Sequence, residues 1–216
     1  MAARTRLLIR FILLLCLFDG TGEGSILKID LTLTDSTNNL LTELAVGDDF
    51  NLNVYVQDVR GADAAGVFAA YLDINYSSTL AVPTGSIEFG DQFPNGQRGD
   101  LSMLGLIDEA GAFANTFSNP NPTAAQLLFT LPLKAIAVGN LEFFSEPADE
   151  FLFSDILLND SSDSFEPLDT SNVDYGAVSV NVEAVPEPNH VVLTMILLGT
   201  VVGGIQSLRK RRGLQQ

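Results

Sequence analysis

Apolar side chains recur at every second position through much of this chain, and a period of two belongs to strands with one buried face. Leu27, Ile29, Leu31 and Leu33 share one face, with Lys28, Asp30, Thr32 and Thr34 on the other. Phe50, Leu52, Val54 and Val56 repeat the pattern after a Gly47-Asp48-Asp49 turn. Phe68, Ala70, Leu72, Ile74 and Tyr76 do so again, as do Leu127, Phe129, Leu131 and Leu133. Shorter strands are predicted at 80–82, 87–89 and 141–144, an apolar central strand at 101–108, and a closing strand at 175–182. Residues 90–99 and 113–123 have loop composition, and Pro132 implies an edge strand or a bulge. No stretch of the middle shows a helical period. Eight or nine short strands separated by turn residues predict an all-β fold: a single antiparallel β-sandwich or jelly roll over residues 25–183.

The two ends have a different composition. Arg4, Arg6 and Arg10 precede an apolar run from Phe11 to Phe18 and the small residues around Gly22 and Gly24. That is the layout of a secretory signal peptide, assigned to residues 1–24. It contains Cys16, the single cysteine, so the mature chain has no disulfide. At the other end a linker at 184–190 leads into an uncharged apolar run at 191–205. As a helix, that run spans roughly 22 Å, short of the ~30 Å of a hydrocarbon core. Extended to residue 208, it is read as one short transmembrane helix. Arg209, Lys210, Arg211 and Arg212 in the tail at 209–216 then fix its C-terminus in the cytoplasm. The middle of the chain is accordingly exported.

Charge and residue inventory narrow the chemistry of that middle. Of 27 acidic residues 25 lie between Gly24 and His190, against Lys28, Arg60, Arg98 and Lys134. Such a surface repels phosphate backbones, which excludes nucleic acid as a partner. His190, the only histidine, sits at the foot of the apolar run, so no nucleophile in the domain has an imidazole base. Zinc lacks its usual ligands for the same reason. Adjacent acids such as Asp108 and Glu109 fall on opposite faces of a regular strand and do not form a catalytic pair. The reading is therefore non-enzymatic, with no cofactor required. Calcium is the one ion for which the loops offer hard oxygen donors, at Asp160 and Asp163 in Asn159-Asp160-Ser161-Ser162-Asp163 and at Asp48-Asp49, without an EF-hand spacing. Without tryptophan, outward tyrosines are the remaining sugar platforms, and Tyr55 and Tyr71 lie opposite the apolar faces of their strands.

Two resemblances add to this. Val185, Pro186, Glu187 and Pro188, followed by a short span and the basic cluster, resemble the PEP-CTERM sorting signal of exported bacterial proteins. That resemblance implies handling by an exosortase-like membrane enzyme, which removes the tail, and a destination at the cell surface or in an extracellular matrix. The segments Val46-Gly47-Asp48-Asp49-Phe50-Asn51-Leu52-Asn53-Val54, Gly66-Val67-Phe68-Ala69-Ala70-Tyr71-Leu72-Asp73-Ile74-Asn75-Tyr76 and Val173-Asp174-Tyr175-Gly176-Ala177-Val178-Ser179-Val180 resemble the cohesin-like, carbohydrate-binding-module superfamily of β-sandwiches. Members of that superfamily bind dockerin modules, polysaccharides or other surface partners. The expected function is a surface or matrix module placed by its tail. Polysaccharide or dockerin binding is the alternative, and calcium-dependent adhesion a third.

Overall fold

Alternating sequence becomes alternating burial: β1 (Leu27–Thr34) hides Leu27, Ile29, Leu31 and Leu33 and half-exposes the residues between. The computed structural model describes residues 25–115, 123–149, 156–159 and 165–185. The signal peptide, the sorting motif from Pro186 onward, the apolar run, the basic tail, Asp160 and Asp163 lie outside the described residues. Among those described, no helix is long and apolar enough to cross a membrane.

After β1 come β2 (Glu43–Ala45), β3 (Asp49–Asp58), β4 (Val67–Tyr76), β5 (Ala81–Pro83), β6 (Glu88–Phe89) and β7 (Asn95–Asp100). They are followed by β8 (Leu106–Phe113), β9 (Gln126–Ala135), β10 (Gly139–Pro147), β11 (Leu157–Asn159), β12 (Phe165–Pro167), β13 (Val173–Asp174) and β14 (Ala177–Glu183). The smaller sheet runs β13-β1-β3-β9-β5, with β6 also on β9. The larger runs β12-β11-β4-β10-β14-β2, and β8 joins β4 to β7. The inner faces meet around Phe143 of the larger sheet. It lies edge-on to Phe50 of the smaller sheet at 6.3 Å and stacks on Tyr76 at 5.5 Å. Such pairs add to the hydrophobic term through their ring quadrupoles.

The sandwich is all-β as predicted, but it is not purely antiparallel. β13 runs parallel to β1, and β2 runs parallel to β14. Both are short segments by which the chain leaves one sheet for the other and returns, β1 to β2 to β3 and β12 to β13 to β14. Each comes back alongside a strand of the same direction.

Three further expectations are corrected. Residues 101–105 form a turn rather than a strand, and the strand lies at 106–113. The 90–99 stretch, expected as loop, contributes β7, whose glycines hid its strand character. Pro132 is neither on an edge strand nor at the β9 register shift, which falls opposite Val54 and Tyr55. Its carbonyl accepts the Thr84 N–H at 2.9 Å. Carbonyl and nitrogen of one strand residue face the same edge, so the missing N–H points into the gap between β5 and β6.

Candidate functional site

The outer face of the larger sheet brings four acids of the domain together. β4 turns Leu72 and Ile74 inward and Asp73 outward, as the period of two requires. Opposite it, Leu72 pairs with Ala110 and Ile74 with Ile107, so the single residue Asp73 faces two, Asp108 and Glu109. This two-against-one count is a β-bulge, and Glu109 takes the left-handed conformation (φ 52°). The bulge frees the Glu109 N–H, which donates to Asp73 Oδ1 at 2.8 Å. Glu109 Oε1 accepts the Asp149 N–H at 3.0 Å, which ties the end of β10 to the cluster.

One carboxylate oxygen from each of Asp73, Asp108, Glu109 and Asp149 lies within 4.8 Å of the others. Asp73 and Glu109 are buried, at 5% and 3% exposure. Burial raises the Asp73 pKa, the Glu109 N–H opposes it, and the charges of Asp108, Glu109 and Asp149 raise it further, to about 6. All four donors are hard oxygens, the set that suits calcium or magnesium rather than zinc.

Asp108 and Glu109 were expected on opposite faces. The bulge breaks the alternation between them, so both reach the same cluster. Asp48 and Asp49 have local roles instead: Asp48 Oδ2 accepts the Ala45 N–H at 2.8 Å, and Asp49 pairs with Lys134 at 3.2 Å. A cavity of about 350 Å³ is lined by Ser86, Ile87, Phe89, Gln97, Arg98, Gly99 and Leu101, with none of the four carboxylates. A signal for the cluster was present in the sequence. Asp and Glu are depleted in strands, yet Asp73, Asp108 and Glu109 all occupy strand positions.

Tyr71 is on the outer face as predicted, but it is not an exposed platform. It is 7% exposed and packs with Ala69, Ala148, Phe68, Phe113 and Leu157. Its hydroxyl donates to the Gly96 carbonyl at 2.7 Å. Two glycines allow this cover: a Cβ on Gly96 (φ 58°) would fall 2.8 Å from the Tyr71 hydroxyl, and one on Gly111 would fall 2.1 Å from the Ala70 carbonyl oxygen. The hydroxyl is thus a structural strut. Tyr71→Phe is expected to cost about 1 kcal/mol, read as a fall of roughly 2–4 °C in thermal midpoint. Tyr55 is half-buried on the outer face of the smaller sheet, where it lies opposite Asp30. The two tyrosines thus stand on opposite sides of the sandwich and do not converge on one ligand.

The rest of the larger sheet's outer face continues the acidic character. Glu142, Phe144 and Glu146 alternate with the core residues Leu141 and Phe143 along β10. Asn75 donates to Glu146 Oε1 across the β4–β10 pair. Phe144 is 46% exposed, an apolar side chain standing among carboxylates. No Lys or Arg occurs in β2, β4, β8, β10 or β14, and Arg98 on β7 is the basic residue among the described strands of this sheet.

No protein-family model matches the sequence, and no curated protein matches it as a relative. Solved structures do match the fold. The cohesin module of a Clostridium perfringens family 33 glycoside hydrolase superposes with a TM-score of 0.51 at 10% identity, covering 74% of this chain and 99% of that module. The seventh ScaB type I cohesin of Pseudobacteroides cellulosolvens gives 0.52 at 12% identity, covering 76% and 96%. At such identities the likeness is one of architecture, and the architecture of this chain is a cohesin-like β-sandwich.

Proposed function

We propose that this chain is a non-catalytic binding module of cohesin type, exported and placed by its C-terminal stretch, that docks a dockerin-like protein partner on the outer face of its larger sheet. The observation that carries this reading is the sandwich itself, which corresponds to cohesin modules over nearly their whole length. The face supplies the second element. Phe144 offers an apolar anchor within a surface of carboxylates, a pairing that suits a partner helix carrying Lys or Arg around an aliphatic residue. The carbohydrate alternative loses one of its two aromatic platforms with the burial of Tyr71. Calorimetric titration of the full chain with a panel of dockerin modules tests the reading. Binding is expected, with Phe144→Ala weakening it about tenfold or more, as for a central aromatic anchor. A chain that binds no dockerin module and is retained on polysaccharide overturns it.

The sorting part of the proposal rests on Val185, Pro186, Glu187 and Pro188, the apolar run and the Arg209-Lys210-Arg211-Arg212 cluster. An exosortase-like enzyme would cut near the Pro-Glu-Pro motif and release the module to the surface or matrix. Mass measurement of the exported form is expected to show a C-terminus near residue 188. A mass that includes Gln216 means permanent anchoring and overturns the processing step.

A further inference from the structure

Half of the exposed large apolar residues described, Met103, Leu104, Ile136 and Val138, sit in two turns at one end of the sandwich, at 62%, 66%, 41% and 58% exposure. A third turn joins these two. The Tyr76 N–H donates to the Gly105 carbonyl at 2.9 Å, and the Ile136 N–H donates to the Leu80 carbonyl at 2.8 Å. Leu80 also packs toward Gly139. Across 76–80, 101–106 and 135–141 there is no Asp, Glu, Lys or Arg, in a chain of net charge −16. Exposed apolar side chains that adjoin one another, rather than being scattered singly, mark protein or membrane interaction sites.

The chain leaves the sandwich at this same end. Gly139 pairs with Val182, and the Glu183 carbonyl accepts the Val46 N–H at 2.9 Å, so Val185 emerges beside the 136–138 turn. The apolar run begins at Val191, six residues on and at most about 20 Å away in extended chain. Any surface that takes up the run therefore lies within reach of Leu104 and Val138. The other half of this end is net acidic, with Asp35 after β1 and Glu43, Asp48 and Asp49 at the starts of β2 and β3, against Lys134, which pairs with Asp49. An anionic headgroup layer would repel it.

We propose that the uncharged end formed by the 76–80, 101–106 and 135–141 turns rests on a zwitterionic lipid surface, with Met103, Leu104, Ile136 and Val138 entering the headgroup layer while the tail is in the membrane. This rests on the reading of residues 191–208 as a membrane segment. It would hold the module upright, with its tip down. The outer face of the larger sheet runs along the side of the sandwich and is left open to a partner.

The chain has no tryptophan, so single reporters can be introduced without background. Leu104→Trp and Val138→Trp report on the tip, and Val59→Trp reports on the opposite end, where the β3–β4 connection begins. All three sites are solvent-exposed in the protein, and a thermal midpoint close to that of the parent confirms folding for each. The full chain is reconstituted with phosphatidylcholine vesicles, floated to establish membrane association, and then examined with brominated phosphatidylcholine as quencher. Flotation with several-fold stronger quenching at positions 104 and 138 than at 59 is the expected result. Flotation with no quenching at 104 and 138, or with equal quenching at all three, overturns the tip contact and leaves the membrane segment standing. Absence of flotation overturns both.

Discussion

Asp58→Ala is expected to destabilise the domain by about 3–5 kcal/mol, the cost of removing one partner from a buried ion pair. The thermal midpoint should then fall by roughly 6–20 °C. Asp58 closes β3, and its side chain is fully buried. Its Oδ2 lies 2.7 Å from Arg60 Nη2, and its Oδ1 accepts Arg60 Nε at 2.9 Å. The same carboxylate takes the N–H groups of Arg60, Ala65 and Gly66 at 3.1, 3.0 and 2.9 Å. Arg60 Nη2 continues to the Asn159 carbonyl on β11 at 3.0 Å. One side chain therefore pins the connection that carries the chain from the smaller sheet to the larger. Burial pushes its pKa up, but the Arg60 side chain, the Gly66 and Arg60 N–H groups and the Arg60 charge together hold it below the usual 3.8. Because the folded pKa is depressed, the stability it supplies is present above the unfolded value and is lost as pH falls through the folded one. The deficit of Asp58→Ala should be full near neutral pH and shrink in acid. Chemical denaturation at several pH values measures it, and a deficit independent of pH would contradict the assignment. Asp58→Asn, which keeps one acceptor, should cost less than Asp58→Ala.

Asp73→Asn is expected to act in the opposite direction, stabilising the domain by about 3 kcal/mol at alkaline and neutral pH. Asn keeps an oxygen for the Glu109 N–H and removes one charge from four crowded carboxylates. The folded pKa of Asp73 is raised from 3.8 to about 6. The native state therefore holds more protons than the unfolded chain between those values, and wild-type stability falls as pH rises through them. The asparagine variant lacks that fall. The gain should be absent below about pH 4, grow through pH 6 and reach its full value above about pH 7. In thermal midpoint it corresponds to roughly 6–12 °C. Measured in chelator, so that the cluster carries only its own charge, a loss of stability at pH 8 would show that the carboxylate is held by a partner rather than crowded by neighbours.

These two aspartates show where sequence reading reaches and where it stops. Both are acids in strands of alternating pattern, and the pattern alone gives them no different meaning. Asp58 is distinguished by Arg60 two residues on, by the turn that brings Ala65 and Gly66 back to it, and by the approach of β11 from 99 residues away. Asp73 is distinguished by a bulge 36 residues away. Its signature in sequence is the out-of-phase spacing of Ile107, Ala110 and Ala112, and the small alanines make that spacing hard to read. Tyr71 fails as an exposed platform for a related reason. Outward direction follows from periodicity, but cover depends on β7 folding over it, and β7 was legible only as a glycine-rich loop.

What the sequence determined by itself is the strand-forming alternation, the all-β class and most of the inward-facing residues. A period of two is a local property, written wherever apolar and polar residues alternate. The tertiary structure alone decided the two parallel strand pairs, the gathering of Asp73, Asp108, Glu109 and Asp149, the burial of Tyr71 and the meeting of three uncharged turns at the end where the chain exits. Each of these joins segments distant in sequence through register, bulge or sheet crossing. Those depend on how two sheets close over a shared core, and no local pattern records that closure.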